Sequence, residues 1–307
     1  MIGLFNINTH TLDTSRYTNL LHDNIVTEFE DSIKSYVGAK YAVSFNSATS
    51  AIFLSLLNKN TILDVPSMIP PVVLNAIVTS GNKYTFNDNT GWVGDSYVLH
   101  DFGDYKIVDS AQKLEKNQFK SECNDGDLMV FSFYPTKPVG GSDGGIIVSN
   151  DIDKITLLKE MALNGMTYSH NNWERKIRFP GYKMYMNSIQ ADIAMNNFNL
   201  YEEKLSSLKK IRDIYNNKLG YSNTSNHLYR IEVDKRENFI EYMKTNGVWC
   251  GIHYEAAHLN SVYSLGNVNC PLSEKKSLRT VSIPFHERLT ISEVNIIINA
   301  VKEYREK

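Results

Sequence analysis

Cysteine is scarce in this chain of 307 residues. Only Cys123, Cys250 and Cys270 are present, far apart and odd in number. That pattern excludes a disulfide framework, offers no metal-ligand spacing, and suits a reducing compartment. Net charge is nearly absent too, because 32 basic residues offset 34 acidic ones and leave a formal charge of -2. No basic stripe is available to track a nucleic-acid backbone, and no polybasic cluster to hold a membrane surface. No apolar run reaches the ~18–20 residues that a membrane span needs. The first eight residues lack both a basic start and a long apolar core, so they do not read as a secretion signal. The expectation is a soluble, cytoplasmic protein with no nucleic-acid partner, no membrane partner and no metal. Internal repeats and low-complexity segments are also missing. The length suits one large domain with a smaller one.

What is present reads as alternating helices and short strands. Residues 22–37 place Ile25, Val26, Phe29, Ile33 and Val37 on one helical face, and Gly38 follows as a stop. Tyr41–Phe45 reads as a strand, residues 46–50 as a small polar turn, and Ala51–Leu57 as a helix. A second strand is expected at 62–66. Pro66, Pro70 and Pro71 then stiffen a loop, and Val72–Val78 is a buried helix or strand. Residues 79–96 are polar and Gly-rich, with little room for regular structure. Tyr97–Leu99, Lys106–Val108, Leu128–Phe131 and Ile146–Val148 are brief apolar runs, and Ile155–Leu163 is helical. Residues 164–186 form a long polar and aromatic loop, of a length usually reserved for function or an interface. From Ile189 to Leu219 the pattern is helical, with a break near Asn196–Asn199. Beyond residue 200 short strands (Leu228–Val233, Val248–Ile252, Thr280–Ile283) alternate with helices (Glu237–Thr245, Ile291–Tyr304). This divides the chain into a large domain over 1–200 and a small α+β domain over 201–307.

Three local features carry chemistry. Lys137 sits in a Pro-, Thr- and Gly-rich turn between two apolar runs. A lysine so placed is open to desolvation, which lowers its pKa and frees a neutral amine for a carbonyl cofactor. Strand, small-residue turn and helix around residues 46–50 would aim backbone N–H groups and hydroxyls at an anion. Asp109 ends an apolar strand, where open α/β sheets place ligand chemistry. Each has a plain alternative on its own: a surface lysine in a hairpin, an ordinary helix cap, an N-cap aspartate. Their order along the chain, followed by Gly144 and Gly145, matches what pyridoxal 5'-phosphate requires. That cofactor needs an anion site, a carboxylate for its ring nitrogen and a lysine for its aldehyde.

The motifs resemble those of the DegT/DnrJ/EryC1/StrS family of pyridoxal-phosphate enzymes. Tyr41-Ala-Val-Ser-Phe-Asn-Ser-Ala-Thr-Ser-Ala51 is similar to the family's "YAVAVNSGTSA", and Val108-Asp-Ser-Ala-Gln112 to "EDAAQ". Phe131–Gly145 closely resembles "FSFYPTKNLGTGEGG", and Gly181–Ala191 resembles "GYNYRMSEIQAA" in part. Gly251-Ile-His-Tyr254 and Ser282-Ile-Pro-Phe-His286 resemble "GIHY" and "SLPMH". The resemblance implies an α/β architecture of PLP fold type I, like aspartate aminotransferase. Its central sheet would be mostly parallel and flanked by helices, with a smaller α+β C-terminal domain. It implies transfer of an amino group, with glutamate as donor, to a keto-sugar on a nucleotide, in a homodimer whose sites form at the subunit interface. By resemblance, Lys137 would hold the cofactor and shuttle a proton. Asp109 would pair with the ring nitrogen, and Gln112 would touch the ring face or its 3-hydroxyl. Ala48, Thr49 and Ser132 would bind phosphate, and His253 and Tyr254 would line the substrate side.

Some positions depart from the pattern. Lys183 stands where the family has an Asn that reaches the partner's phosphate; a lysine can serve there as a point charge. Tyr185 replaces an Arg. Pro70 falls where the family places an aromatic over the ring, so that cover would come from Tyr134 or Phe102, or be missing. Residues 79–108 are compressed, which would leave a more open pocket. These departures keep a second reading in view, a decarboxylase or lyase on the same cofactor. A third is a non-catalytic binding protein on the same fold.

Overall fold

The computed structural model describes residues 1–8, 12, 14–169 and 172–305. Residues 170 and 171 of the long 164–186 loop lie outside the described residues. In chain order the first half holds α1 (Asn24–Val37), β1 (Tyr41–Phe45), α2 (Ala48–Leu56), β2 (Ile62–Pro66), α3 (Pro71–Thr79), β3 (Lys83–Asn87), β4 (Tyr97–Asp101), β5 (Lys106–Asp109), α4 (Gln118–Glu122), β6 (Leu128–Ser132) and β7 (Gly145–Ser149). Then follow α5 (Ile152–Ala162), α6 (Ser188–Asn199), α7 (Tyr201–Leu219), β8 (Tyr229–Glu232), α8 (Arg236–Thr245), α9 (Pro271–Ser277), β9 (Thr280–Ile283) and α10 (Ile291–Arg305).

The central sheet has the order β1-β7-β6-β5-β4. It is mixed rather than mostly parallel. Only β5 and β6 pair in parallel; β1–β7, β6–β7 and β4–β5 are antiparallel. For two of the antiparallel pairs the reason is the connection. β4 and β5 are joined by a tight turn in which Phe102 N donates to Tyr105 O at 2.9 Å, and β6 and β7 by the lysine turn. Neither link contains the helix by which a parallel pair is usually crossed over. β2 and β3 form a separate parallel pair.

The inner strands β6 and β7 are almost wholly apolar because both sheet faces are covered there. Val130 and Ile147 face a core shared with α2, α3 and α5. Met129, Phe131, Ile146 and Val148 face a second core with Phe29 and Ile33 of α1 and Ala191 and Ala194 of α6. A third core joins the later half of α7 to β8, β9, α8 and α10. The helical run after residue 188 breaks at Leu200, where α6 gives way to α7. Tyr201 at the start of α7 belongs to the sheet core, whereas Leu208, Ile211 and Tyr215 belong to the third core. One helix therefore ties the two bodies of the chain together.

Two local expectations are corrected. Residues 79–96 do contain a strand, β3, because Lys83–Asn87 completes the ladder of β2. Val248–Ile252 is not a strand. Val248 bridges Ile2 and Gly251 bridges Ser282, so the segment changes partners before a ladder can form.

Candidate active site

The site is a cavity of about 380 Å3 at one end of the sheet. Ala48, Thr49, Asp109, Gln112, Ser132, Lys137, His253 and Tyr254 all line it. α2 contributes its N-terminal turn. Ser47 is the cap, its side chain accepting from Ser50 N at 3.1 Å, and the first helical bond runs from Ala51 N to Ser47 O at 3.2 Å. The amides of Ala48 and Thr49 precede that bond and point out of the helix end, where an anion is favoured. β7 passes close behind. A Cβ on Gly145 would lie 2.5 Å from Ala48 Cα and N, so only glycine allows this approach.

Asp109 ends β5 and is 4% exposed. Its Oδ2 accepts from Tyr97 Oη at 3.0 Å and its Oδ1 from Ala111 N at 2.9 Å. Burial raises its pKa against the pull of those bonds and of the Lys137 charge. A carboxylate in that state gains from a cation placed beside it. Lys137 is half-buried in the turn between β6 and β7. Desolvation lowers its pKa to about 8, with Asp109 acting in the other direction. Among the described residues it has no carboxylate within ion-pair distance. Desolvation, then the charges of Lys137 and Arg230, lower His253 to about 4, so its imidazole is neutral at physiological pH. His253 Nδ1 and Ser282 Oγ are 2.8 Å apart.

Gln112 lines the cavity and is bonded at both ends of its carboxamide. Its Oε1 accepts from Gly94 N at 2.7 Å and its Nε2 donates to the Tyr254 hydroxyl at 3.0 Å. Lys183 does not line the cavity. It is exposed, its backbone bridges Leu163, and its charge is felt by His22. Phe102 lies away from the cavity, packed on Tyr105 at 4.8 Å, whereas Tyr134 lines it. Pro70 lines it too.

The compressed segment does not leave a gap. Residues 88–96 fold back and place Trp92 in the cavity wall, 5% exposed, 4.4 Å from the Tyr97 ring and parallel to Tyr254 at 6.2 Å. Gly94 makes this possible: its φ is +92°, and a Cβ there would meet Ser225 Oγ at 2.8 Å. Trp92, Tyr97, Phe5 and His227 were not among the residues singled out from sequence. A single Trp in a polar, Gly-rich stretch was the available signal for the first. The others carry no local mark.

The residues fit pyridoxal phosphate on the structure's own terms. A desolvated lysine, a buried carboxylate and a helix N-terminus face one cavity; among the described residues the lysine has no ion-pair partner, and Trp92 Nε1, buried there, has no hydrogen-bond partner. Among the described residues no cluster of His, Cys, Asp or Glu could hold a metal, and no helix is long and apolar enough to cross a membrane.

The DegT/DnrJ/EryC1/StrS aminotransferase family model matches residues 7–88 and 105–302. The chain belongs to this family and is an aminotransferase, with pyridoxal phosphate as cofactor. Between the two matched stretches, residues 89–104 are those that bring in Trp92 and Tyr97. A UDP-4-amino-4,6-dideoxy-N-acetyl-beta-L-altrosamine transaminase of Campylobacter jejuni is 22% identical, over 100% of this chain and 98% of that protein. The spore coat polysaccharide biosynthesis protein SpsC of Bacillus subtilis is 24% identical, over 91% and 89%. Among solved structures, the aminotransferase TlmJ of Streptoalloteichus hindustanus superposes with a TM-score of 0.83 at 20% identity, covering 100% of this chain and 99% of that one. A sugar aminotransferase described as putative, from Streptococcus pneumoniae and solved in its PLP form, gives 0.80 at 20% identity, covering 98% of both.

Proposed function

We propose that the protein moves an amino group from an amino-acid donor, glutamate being the first candidate, to the carbonyl of a nucleotide-linked keto-sugar. The observation that carries this is Lys137, desolvated to a pKa of about 8 and facing the same cavity as Asp109. The sugar nucleotide is suggested by the UDP-sugar transaminases among the relatives.

Pyridoxal phosphate supplies an aldehyde and a ring able to take up electrons. The amides of Ala48 and Thr49 and the hydroxyls of Thr49 and Ser132 would hold its phosphate. Asp109, kept in place by Tyr97 and the Ala111 amide, would keep a proton on the ring nitrogen. Lys137 Nζ would hold the aldehyde carbon and, once displaced by the donor, carry the proton that leaves the donor's α-carbon. Gln112 would act by fixing Tyr254 and the Gly94 backbone, and His253, neutral, would accept or donate a hydrogen bond on the substrate side.

A homodimer with a shared site is part of the proposal. Its support is the 164–186 segment, which presents Trp173 and Ile177 to solvent at 83% and 76% exposure and leaves Lys183 free to reach a second copy. We place the boundary between the two domains near residue 200, and the protein in the cytoplasm, where free thiols persist.

The experiment is a two-step absorbance assay. Cofactor-loaded protein given glutamate should lose its visible band, and a UDP-linked 4-keto-sugar should restore it. No change with any amino acid, or carbon dioxide release without amino transfer, would overturn the reading.

A further inference from the structure

One polar ring in the wall of the active-site cavity is held firmly and bonded to nothing. His227 lines the same cavity as Lys137 and Asp109 and is 6% exposed. It stands two positions before β8, on backbone that is fixed locally. Ser225 Oγ accepts from His227 N at 3.0 Å and from Leu228 N at 3.2 Å, and donates to Gly94 O at 2.9 Å. The imidazole packs on Phe5, with ring centroids 5.7 Å apart and planes 19° from parallel. Phe5 also meets the His253 ring edge-on at 5.9 Å. One phenyl ring therefore braces two imidazoles that line the cavity.

The two histidines differ in what their nitrogens do. His253 Nδ1 is engaged with Ser282 Oγ at 2.8 Å. Neither ring nitrogen of His227 has a hydrogen-bond partner among the described residues. Burial holds its pKa well below the usual histidine range, and the charges of Lys137, His253 and Lys204 act in the same direction. The ring is therefore neutral at physiological pH, with one N–H donor and one bare acceptor. A buried polar group left in that state is rare in folded proteins, because it forfeits the hydrogen bonds it had in water.

We propose that His227 binds the acceptor sugar through the ring hydroxyl beside the carbonyl that receives the amino group. A hydroxyl is at once donor and acceptor, as a neutral imidazole is, so each can complete the other. A carboxylate or a phosphate offers acceptors alone and would set a negative charge against the bare nitrogen. Glutamate carries no hydroxyl, so the contact belongs to the acceptor's half of the reaction. The shared cavity puts His227 on the side of the sugar that faces Lys137. The residue then determines specificity, because an acceptor without that hydroxyl leaves the imidazole buried and unpaired. The inference rests on the proposed transfer to a keto-sugar.

The test is calorimetric titration of the cofactor-loaded protein with a UDP-linked 4-keto-sugar and, separately, with its 3-deoxy counterpart. No amino donor is added, so binding is read without turnover. The native protein should bind the hydroxylated sugar about tenfold or more tighter. His227→Phe keeps a ring against Phe5 and costs the fold no side-chain hydrogen bond. It should bring the two sugars within about twofold of each other. His227→Gln keeps a donor and an acceptor and should retain part of the preference. Cofactor affinity should stay as in the native protein for both variants. Equal binding of the two sugars by the native protein, or binding of neither, overturns the proposal, and this result depends on no variant folding. A preference that survives unchanged in His227→Phe also overturns it, since another group would then hold the hydroxyl. A failed two-step absorbance assay, with the preference present in the native protein and lost in His227→Phe, would count against the proposed transfer and not against this contact.

Discussion

The hydroxyl of Tyr97 donates to Asp109 Oδ2 at 3.0 Å, and Tyr97 belongs to the segment that the family model leaves unmatched. The carboxylate at the end of β5 is therefore held by a hydroxyl from the neighbouring strand β4. Tyr97→Phe removes one hydrogen bond to a charged acceptor, worth ~1.5–3 kcal/mol. Cofactor affinity, measured by titration of the apoprotein, should fall about tenfold or more. Asp109→Asn should cost more, because it removes the charge proposed to pair with the ring nitrogen.

Lys137 should destabilise the protein when the cofactor is removed. Its pKa is about 8 in the folded state against 10.5 when exposed. Below pH 8 the amine is charged both folded and unfolded, and the full cost is present. Between 8 and 10.5 the folded protein sheds the proton first, so the cost fades as pH rises. The cavity admits water, which reduces the penalty to ~1–3 kcal/mol. Lys137→Met should raise the apoprotein's stability to denaturant by that amount at pH 7, and the gain should vanish above pH 10.5. Activity should be lost.

The same lowered pKa sets how fast the cofactor is captured. Only the neutral amine attacks an aldehyde. The second-order rate of cofactor binding, followed by stopped-flow absorbance, should climb about tenfold per pH unit up to about pH 8 and then level off. His253, at about 4, should leave no inflection between pH 6 and 9.

Gly145→Ala should separate β7 from α2. The added carbon would meet backbone at 2.5 Å, and backbone cannot rotate away as a side chain can. The expected cost is ~1–3 kcal/mol in stability together with weaker cofactor binding, because the displaced atoms belong to the turn proposed to hold the phosphate. Thermal melting with and without cofactor distinguishes the two effects.

A cross-subunit role for Lys183 has a direct check. Lys137→Ala and Lys183→Ala proteins, each inactive, should regain about a quarter of native activity when unfolded and refolded together, since half the dimers would carry one intact site. No recovery from a dimer, or full activity from a monomer, would remove Lys183 from the partner's site.

Much of this arrangement was legible in the chain. The apolar runs ending at Asp109 and flanking Lys137 mark strands buried on both faces, and that pattern places their ends at a common edge. The small-residue turn before α2 is equally local. Other features depend on distant pairing. The parallel strand at Lys83–Asn87 is polar and exposed in part, so only its partner β2 reveals it. Val248–Ile252 looks like a strand until its two ends are seen to bond to Ile2 and Ser282. Trp92 enters the site because Gly94 turns against Ser225, a contact across 131 residues of sequence. The partners of Gln112 were hidden for the same reason, since Gly94 and Tyr254 lie on other segments.

That carboxamide has a mechanical consequence. Its oxygen holds the backbone at Gly94 and its nitrogen holds the phenol at Tyr254, so one side chain spans three separate stretches of polypeptide. The Trp92 wall and the Tyr254 segment, which pack on the same sheet core, are thereby held in register with each other through a single amide.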